Sequence, residues 1–228
     1  MSICPHISST GRACGKECDS QGKHLLSYAS GGGFFVGHDS VCAAYCHLAA
    51  GPDGIPGVQA DWKAKVDVWP RATRGAETDI GFYRIPGCRD TYVDAVGGLA
   101  NPATYPSCAT TAGHLAERHA REKNADHPVF DSQSRRRMHT FDFCALSFER
   151  HGYLAKETVG FTKKLAFCRA VALGLEPSGE IRRWYGVISC CIQRANAKIL
   201  RGEPVPGSFA SPPPRLVARG RDLALVGA

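Results

Sequence analysis

The chain has 228 residues, 43 % apolar and 21 % charged, which is enough apolar content to bury a core and excludes a globally disordered chain. That length fits one domain of ordinary size with a small appendage, and no run of about 18 apolar residues exists to span a membrane as a helix. The formal net charge of +7 is uneven: residues 1–150 hold 16 Lys+Arg against 16 Asp+Glu, whereas residues 151–228 hold 12 against 5.

The basic second half suits a phosphate-bearing partner, or simply a solvated surface. The N-terminus "MSICPHISSTGRACGK" has no apolar signal region, so the expectation is an intracellular protein. The eleven cysteines are odd in number and scattered. In such a chain most of them read as small buried apolar residues rather than a secreted disulfide framework.

Residues 1–28 are polar and bring Cys4, Cys14, Cys18, His6 and His24 close in sequence. "GGG" at 31–33 reads as a flexible joint. "HDSVCAAYCHLAAG" predicts a helix with Asp39 as N-cap and Gly51 as its end, followed by the turn-rich loop "GPDGIPG". "VDVWP" at 66–70 alternates and predicts a strand. "TDIGFYR" and "TYVDAV" predict a hairpin whose turn holds Pro86 and Gly87. A polar helix is predicted over roughly 107–125, beginning near Ser107, then a loop carrying Arg135, Arg136 and Arg137, then a strand at 140–148. Two helices follow. The first carries a stripe of Phe161, Leu165, Cys168, Ala172 and Leu175, and the second one of Ile181, Trp184, Ile188, Ile192, Ala195 and Ile199. The tail from Gly202, with "SPPPR", shows no packing pattern and is expected to be disordered. This order predicts an α/β or α+β fold: a small mixed sheet flanked by helices, with an irregular N-terminal segment.

Asp79 and Asp94 stand where half-buried strands prefer apolar or neutral residues. Antiparallel neighbours lie side by side, so two carboxylates on one face repel unless a divalent cation sits between them. Mg²⁺ takes oxygen ligands, commonly one or two carboxylates with phosphate and water, and can activate water toward a phosphodiester. Both acids can equally be exposed strand or turn residues. Zn²⁺ wants four N/S ligands, which Cys4, Cys14, Cys18 and His24 can supply, although their spacing is no standard finger and a loose arm with free thiols is the alternative.

These segments, in this order, resemble the C-terminal part of non-LTR retrotransposon polyproteins, where a Cys/His knuckle precedes a restriction-endonuclease-like domain of the PD-(D/E)XK superfamily. "CGKECDSQGKHLLSY" resembles the knuckle, "GHDSV" the lead into the first helix, and "ETDIGF" and "TYVDAV" the two acidic strands. "AERHAREK" resembles the lysine-bearing helix, "FCALSFERHGYLAKET" the following strand and turn, and "CIQRANAKIL" the last helix. The resemblance implies a knuckle-like segment at 1–30, an endonuclease-like domain at 37–201 and a tail at 202–228. It implies Mg²⁺ (or Mn²⁺) on Asp79 and Asp94, with Zn²⁺ at the Cys/His segment. It gives Lys123 the role of orienting the attacking water and places His38 and Gln193 near the acids. Asn196 lies beside Gln193 on a polar helix face, expected either to look toward the site or the DNA backbone or to be simply solvated. Arg135, Arg136, Arg137, Arg194 and Lys198 would face nucleic acid. The partners implied are DNA and the RNA of the element, and the location nuclear. The sequence departs from the family at Gly37 (Arg there), Thr78 (Pro there), Ala95 and Gly97 (usually β-branched) and Tyr28 (the last knuckle Cys). Val96 stands where the common superfamily form has its lysine. These departures suggest a drifted copy. The competing readings are a binding remnant of the same fold without catalysis, a zinc-stabilised interaction module and, more distantly, a cysteine protease.

Overall fold

The protein is described here by a computed structural model covering residues 3–4, 12–19, 22–27, 33–66, 76–101, 104–127, 139–201 and 216–217. The described elements are α1 (Lys23–Ser27), α2 (Gly33–Ala50), β1 (Gln59–Val66), β2 (Ala76–Tyr83), β3 (Thr91–Gly98), a 3-10 turn (Pro106–Ala109), α3 (His114–Asp126), β4 (Asp142–Glu149), α4 (Lys156–Leu173), α5 (Pro177–Leu200) and β5 (Leu216–Val217). They form a mixed open sheet of four long strands, with the two-residue β5 added at one edge, in the order β4-β3-β2-β1-β5.

β1, β2 and β3 are antiparallel neighbours, whereas β3 and β4 run parallel, paired from Thr91↔Asp142 to Gly98↔Glu149. A parallel pair needs a crossover, and α3 supplies it. Strand alternation sorts the β3 and β4 side chains onto two faces. Val93, Ala95, Cys144, Leu146 and Phe148 join α2, α4 and α5 in the main core, while Tyr92, Phe143 and Ala145 join α3 in a smaller cluster. Asp94 is in phase with Tyr92 and therefore lies on the α3 side.

The hairpin turn between β2 and β3 follows its sequence. Pro86 precedes Gly87 at φ +67°, the left-handed conformation that glycine reaches without a Cβ penalty, and the Cys88 N–H donates to the Ile85 carbonyl at 3.0 Å. Gly97 is required for a different reason. A Cβ there would stand 2.6 Å from the Phe148 ring of β4, so the strand can pack on that ring only without a side chain.

Helix ends are satisfied by distant carboxylates as well as local caps. The Gly113 cap of α3 offers no side chain; instead the buried Glu149, at the end of β4, accepts from Leu115 N at 3.1 Å and Ala116 N at 3.4 Å. At α5, Glu176 accepts from Ser178 N at 2.9 Å, and Pro177 fills the first turn, where its missing N–H costs nothing. Gly174, at φ +65°, ends α4. Arg169 and Glu180 form a buried ion pair at 2.8 Å between α4 and α5; Arg169 also donates to the Asp53 carbonyl, and Glu180 accepts from Trp184 Nε1.

Several expectations are corrected. Asp39 does not cap α2, which begins at Gly33; it sits within the helix and binds His38. Gly33, expected in a joint, is the first residue of α2. The first strand is Gln59–Val66 rather than 66–70, and residues 67–70 lie outside the described residues. The helix expected from Ser107 is a 3-10 turn followed by α3 from His114, because Gly113 at φ +76° breaks the run. On α4 the buried face passes through Thr158, Phe161, Thr162, Leu165, Ala166, Arg169 and Ala170, which leaves Ala172 and Leu175 exposed. The α4 stripe holds at Phe161 and Leu165, with Cys168 packed against the core, and departs beyond them; the same face also buries an arginine and two threonines through hydrogen bonds and an ion pair, which an apolar pattern does not reveal. The α5 stripe holds from Trp184 to Ile199, with Ile181 partly buried. Within the tail, Leu216–Val217 pairs with Gln59 and Ala60 of β1; residues 202–215 and 218–228 lie outside the described residues.

Candidate functional site

The β2–β3 ladder runs from Phe82↔Thr91 to Ile80↔Val93 and stops there. Continued by one step, the register would set Asp79 opposite Asp94. At that point a side chain replaces the ladder bond: Asp79 Oδ2 accepts the Ala95 N–H at 2.8 Å. The two carboxylates are therefore neighbours at the end of the ladder, with Asp79 bonded to the residue that follows Asp94. Two acids on one sheet face are held together here by cations and donors around them.

α3 provides the first of these. Lys123 Nζ donates to Asp94 Oδ2 at 2.6 Å, and His127 Nε2, one helical turn on, lies 3.4 Å from the same oxygen. Burial opposes ionisation of Asp94. Hydrogen bonds from His127, with Asp79 and from Lys123, aided by the lysine charge, outweigh it and hold the carboxyl well below the usual carboxylate range. Lys123 and Asp94 are 31 % and 13 % exposed, so this pair lies in a partly desolvated setting where charges interact more strongly than at a free surface. His119, a turn before Lys123, presses its ring edge close to Gly98 on β3.

α2 provides the second group. His38 Nε2 lies 2.9 Å from Asp79 Oδ2, and its Nδ1 2.9 Å from Asp39 Oδ1. Burial alone would depress the His38 pKa; the hydrogen bonds and charges of Asp79 and then Asp39 overcome it and raise the imidazole above its ordinary value. The protonated ring donates from both nitrogens. Gly37, where the resembled family has arginine, is filled from elsewhere: a Cβ on it would stand 2.5 Å from Nη1 of the buried Arg150, which follows β4.

Among the expected site residues, Asp79, Asp94, Lys123 and His38 converge. Gln193 does not join them: it is exposed on α5, with its amide near Gly152 in the turn after β4. Asn196, expected on the polar face of that helix, is buried and donates to the Arg150 carbonyl at 2.7 Å. Arg194 and Lys198 are exposed on α5. Arg135, Arg136 and Arg137 lie outside the described residues. In the N-terminal segment, Cys4, Cys14 and His24 gather with ligand atoms within 4.8 Å of one another, and Cys14 Sγ is 3.3 Å from His24 Nε2. Cys18 does not belong to that group, and Tyr28 lies outside the described residues.

Asp39, Cys42, Ala95 N and His127 are additions that residue-by-residue reading missed. The spacing of four from His38 to Cys42 and from Lys123 to His127 was visible, since such pairs share a helix face. The backbone donor had no sequence signal at all.

The two carboxylates supply hard oxygen ligands of the kind Mg²⁺ takes. Their closeness at the end of the ladder, balanced by Lys123 and His38, fits a place where a divalent cation would relieve repulsion. A cleft of about 570 Å³ adjoins His127 and is lined in part by Asn124, Asp142, Glu157 and Lys164.

No protein-family model and no curated protein matches the chain. Among the described residues, no helix is long and apolar enough to cross a membrane.

Proposed function

We propose that the protein is a metal-dependent DNA endonuclease-like domain of a retroelement, with a restriction-endonuclease-like core, that nicks target DNA by phosphodiester hydrolysis. The observation that carries this reading is the Lys123 Nζ to Asp94 Oδ2 contact at 2.6 Å, made by a helix-borne lysine on an acid that neighbours a second acid at the end of the β2–β3 ladder. A lysine pointing to solvent would have favoured a binding remnant.

Asp79 and Asp94 would hold Mg²⁺ or Mn²⁺, which when bound lowers the pKa of a coordinated water and offsets charge on the phosphodiester. Lys123 holds positive charge beside Asp94 and would orient the attacking water or a non-bridging phosphate oxygen. His38, clamped by Asp39, fixes Asp79 at the fork between β2 and β3. The Ala95 N–H holds the same carboxylate from the other side. Arg194 and Lys198 offer exposed charge for the DNA backbone, with the element's own RNA a further partner and a nuclear location consistent with a DNA target. The Cys4–Cys14–His24 group would take Zn²⁺ with a fourth ligand.

A remnant that binds nucleic acid without cutting it is the second reading, favoured by the departures at Gly37 and Thr78. Incubating the purified protein with supercoiled plasmid and Mg²⁺ or Mn²⁺, beside Asp94→Ala and EDTA controls, separates the two. Nicking lost in both controls supports the nuclease. Absent nicking with a salt-sensitive gel shift supports the remnant, because phosphate contacts release counterions.

A further inference from the structure

The acid pair gathers only oxygen ligands, but Asp79 belongs to a second group of different chemistry. His38, Cys42 and Asp79 place an imidazole nitrogen, a sulfur and a carboxylate oxygen within 4.8 Å of one another. His38 and Cys42 are one turn apart on α2, so the helix itself sets two of the three ligands. Cys42 is fully buried, while His38 and Asp79 are each 13 % exposed. The group is thus closed behind and open toward the fork.

We infer that His38, Cys42 and Asp79 form a binding site for a borderline transition-metal ion of the Zn²⁺ or Co²⁺ class, distinct in ligand chemistry from an oxygen-only Mg²⁺ site.

Three features argue for it. First, the size is right. Tetrahedral bonds of about 2.0–2.3 Å set neighbouring ligand atoms about 3.3–3.7 Å apart. The 2.9 Å between His38 Nε2 and Asp79 Oδ2 needs to open by only a few tenths of an ångström, and the Cys42 sulfur lies within 4.8 Å of the other two ligands. Second, the histidine is oriented from behind. Metal-bound histidines commonly give their other ring N–H to a carboxylate, which fixes tautomer and ring direction. Asp39 takes that role on Nδ1 at 2.9 Å and leaves Nε2 facing Asp79. Third, three protein ligands leave a fourth tetrahedral position for water or substrate oxygen, the pattern of reactive rather than structural zinc sites. Binding is an exchange of ions: M²⁺ enters while the His38 Nε2 proton and the Cys42 thiol proton leave to solvent, with no redox change. A thiol beside a bound cation is deprotonated outright, so burial that keeps Cys42 protonated without metal does not prevent it.

The inference uses Asp79, as the hydrolytic reading does, but does not depend on hydrolysis. The test is a Co²⁺ titration of metal-stripped full-length protein in a Cys14→Ser/His24→Ala background, which removes the N-terminal group as a competing thiolate site. The expected result is a sulfur-to-cobalt charge-transfer band saturating at one equivalent. Cys42→Ala abolishes the band, and Asp39→Asn weakens Co²⁺ binding about 10- to 100-fold. If Cys42→Ala does not fold, loss of the band in His38→Gln gives the same support. No band in the parent background, or a band that survives both Cys42→Ala and His38→Gln, overturns the site. Mg²⁺-dependent nicking without a cobalt–thiolate band overturns this inference and leaves the hydrolytic reading standing. A Cys42-dependent band in a protein that nicks nothing does the reverse.

Discussion

Lys123 Nζ and Asp94 Oδ2 lie 2.6 Å apart although the residues are 29 positions apart in the chain. The contact exists because β3 and β4 run parallel, so the chain must return across the sheet face that carries Asp94. α3 makes that return, and Lys123 sits in its last turn. In the proposed chemistry, Lys123→Met lowers the Mg²⁺-dependent plasmid nicking rate at least about 100-fold, comparable to removing one charge-stabilising donor from an active site. Single-turnover nicking assays check this. The same substitution moves the Asp94 titration upward toward the usual carboxylate range, read by carbon NMR of the carboxyl group.

The placement of α3 depends on Glu149, whose carboxylate accepts two N–H groups of the first turn from the end of β4. Glu149→Ala leaves those buried donors unsatisfied and costs about 1–3 kcal/mol in urea denaturation. If α3 carries Lys123 to the site, nicking falls in this variant even under conditions where the protein remains folded.

His38 makes stability depend on pH in metal-free buffer. Its pKa is raised in the folded protein, where burial is outweighed by the bonds and charges of Asp79 and Asp39. The stabilisation is therefore fully present below the unfolded histidine value of about 6.5 and is lost as pH rises through the higher folded value. Asp94 behaves oppositely. Its pKa is depressed, so its contribution is present above the unfolded carboxylate range and is lost as pH falls toward the folded value. Melting temperatures across neutral to mildly alkaline pH show the His38 decline. His38→Gln flattens that limb and leaves the acid limb in place.

The Arg169–Glu180 pair is 10 % and 5 % exposed and joins α4 to α5. Glu180→Ala strands a buried guanidinium and removes the Trp184 acceptor, so it destabilises by about 3–5 kcal/mol. Chemical denaturation measures the loss. Replacing both partners with apolar residues of similar volume recovers much of it, since the cost comes from the uncompensated charge.

Local chemistry made a good part of this protein legible in sequence. The Pro86–Gly87 turn, the apolar spacing of α5 and the two acids in the hairpin depend on neighbouring residues, whose preferences act at short range. Asp79 and Asp94 could be named because a carboxylate in a half-buried strand brings its chemistry with it, whereas Lys123 and His38 were named through the family resemblance. The boundaries were less legible, because burial of Thr162 and Arg169 on α4 and the carboxylate cap from Glu149 rest on partners far along the chain. Tertiary structure alone decided which groups meet. The fork between β2 and β3 gives Ala95 N to Asp79, the crossover brings Lys123 and His127 to Asp94, and α2 sets His38 and Cys42 against Asp79. Those contacts depend on strand order and helix placement, which arise from packing of the whole core and leave no local pattern to read.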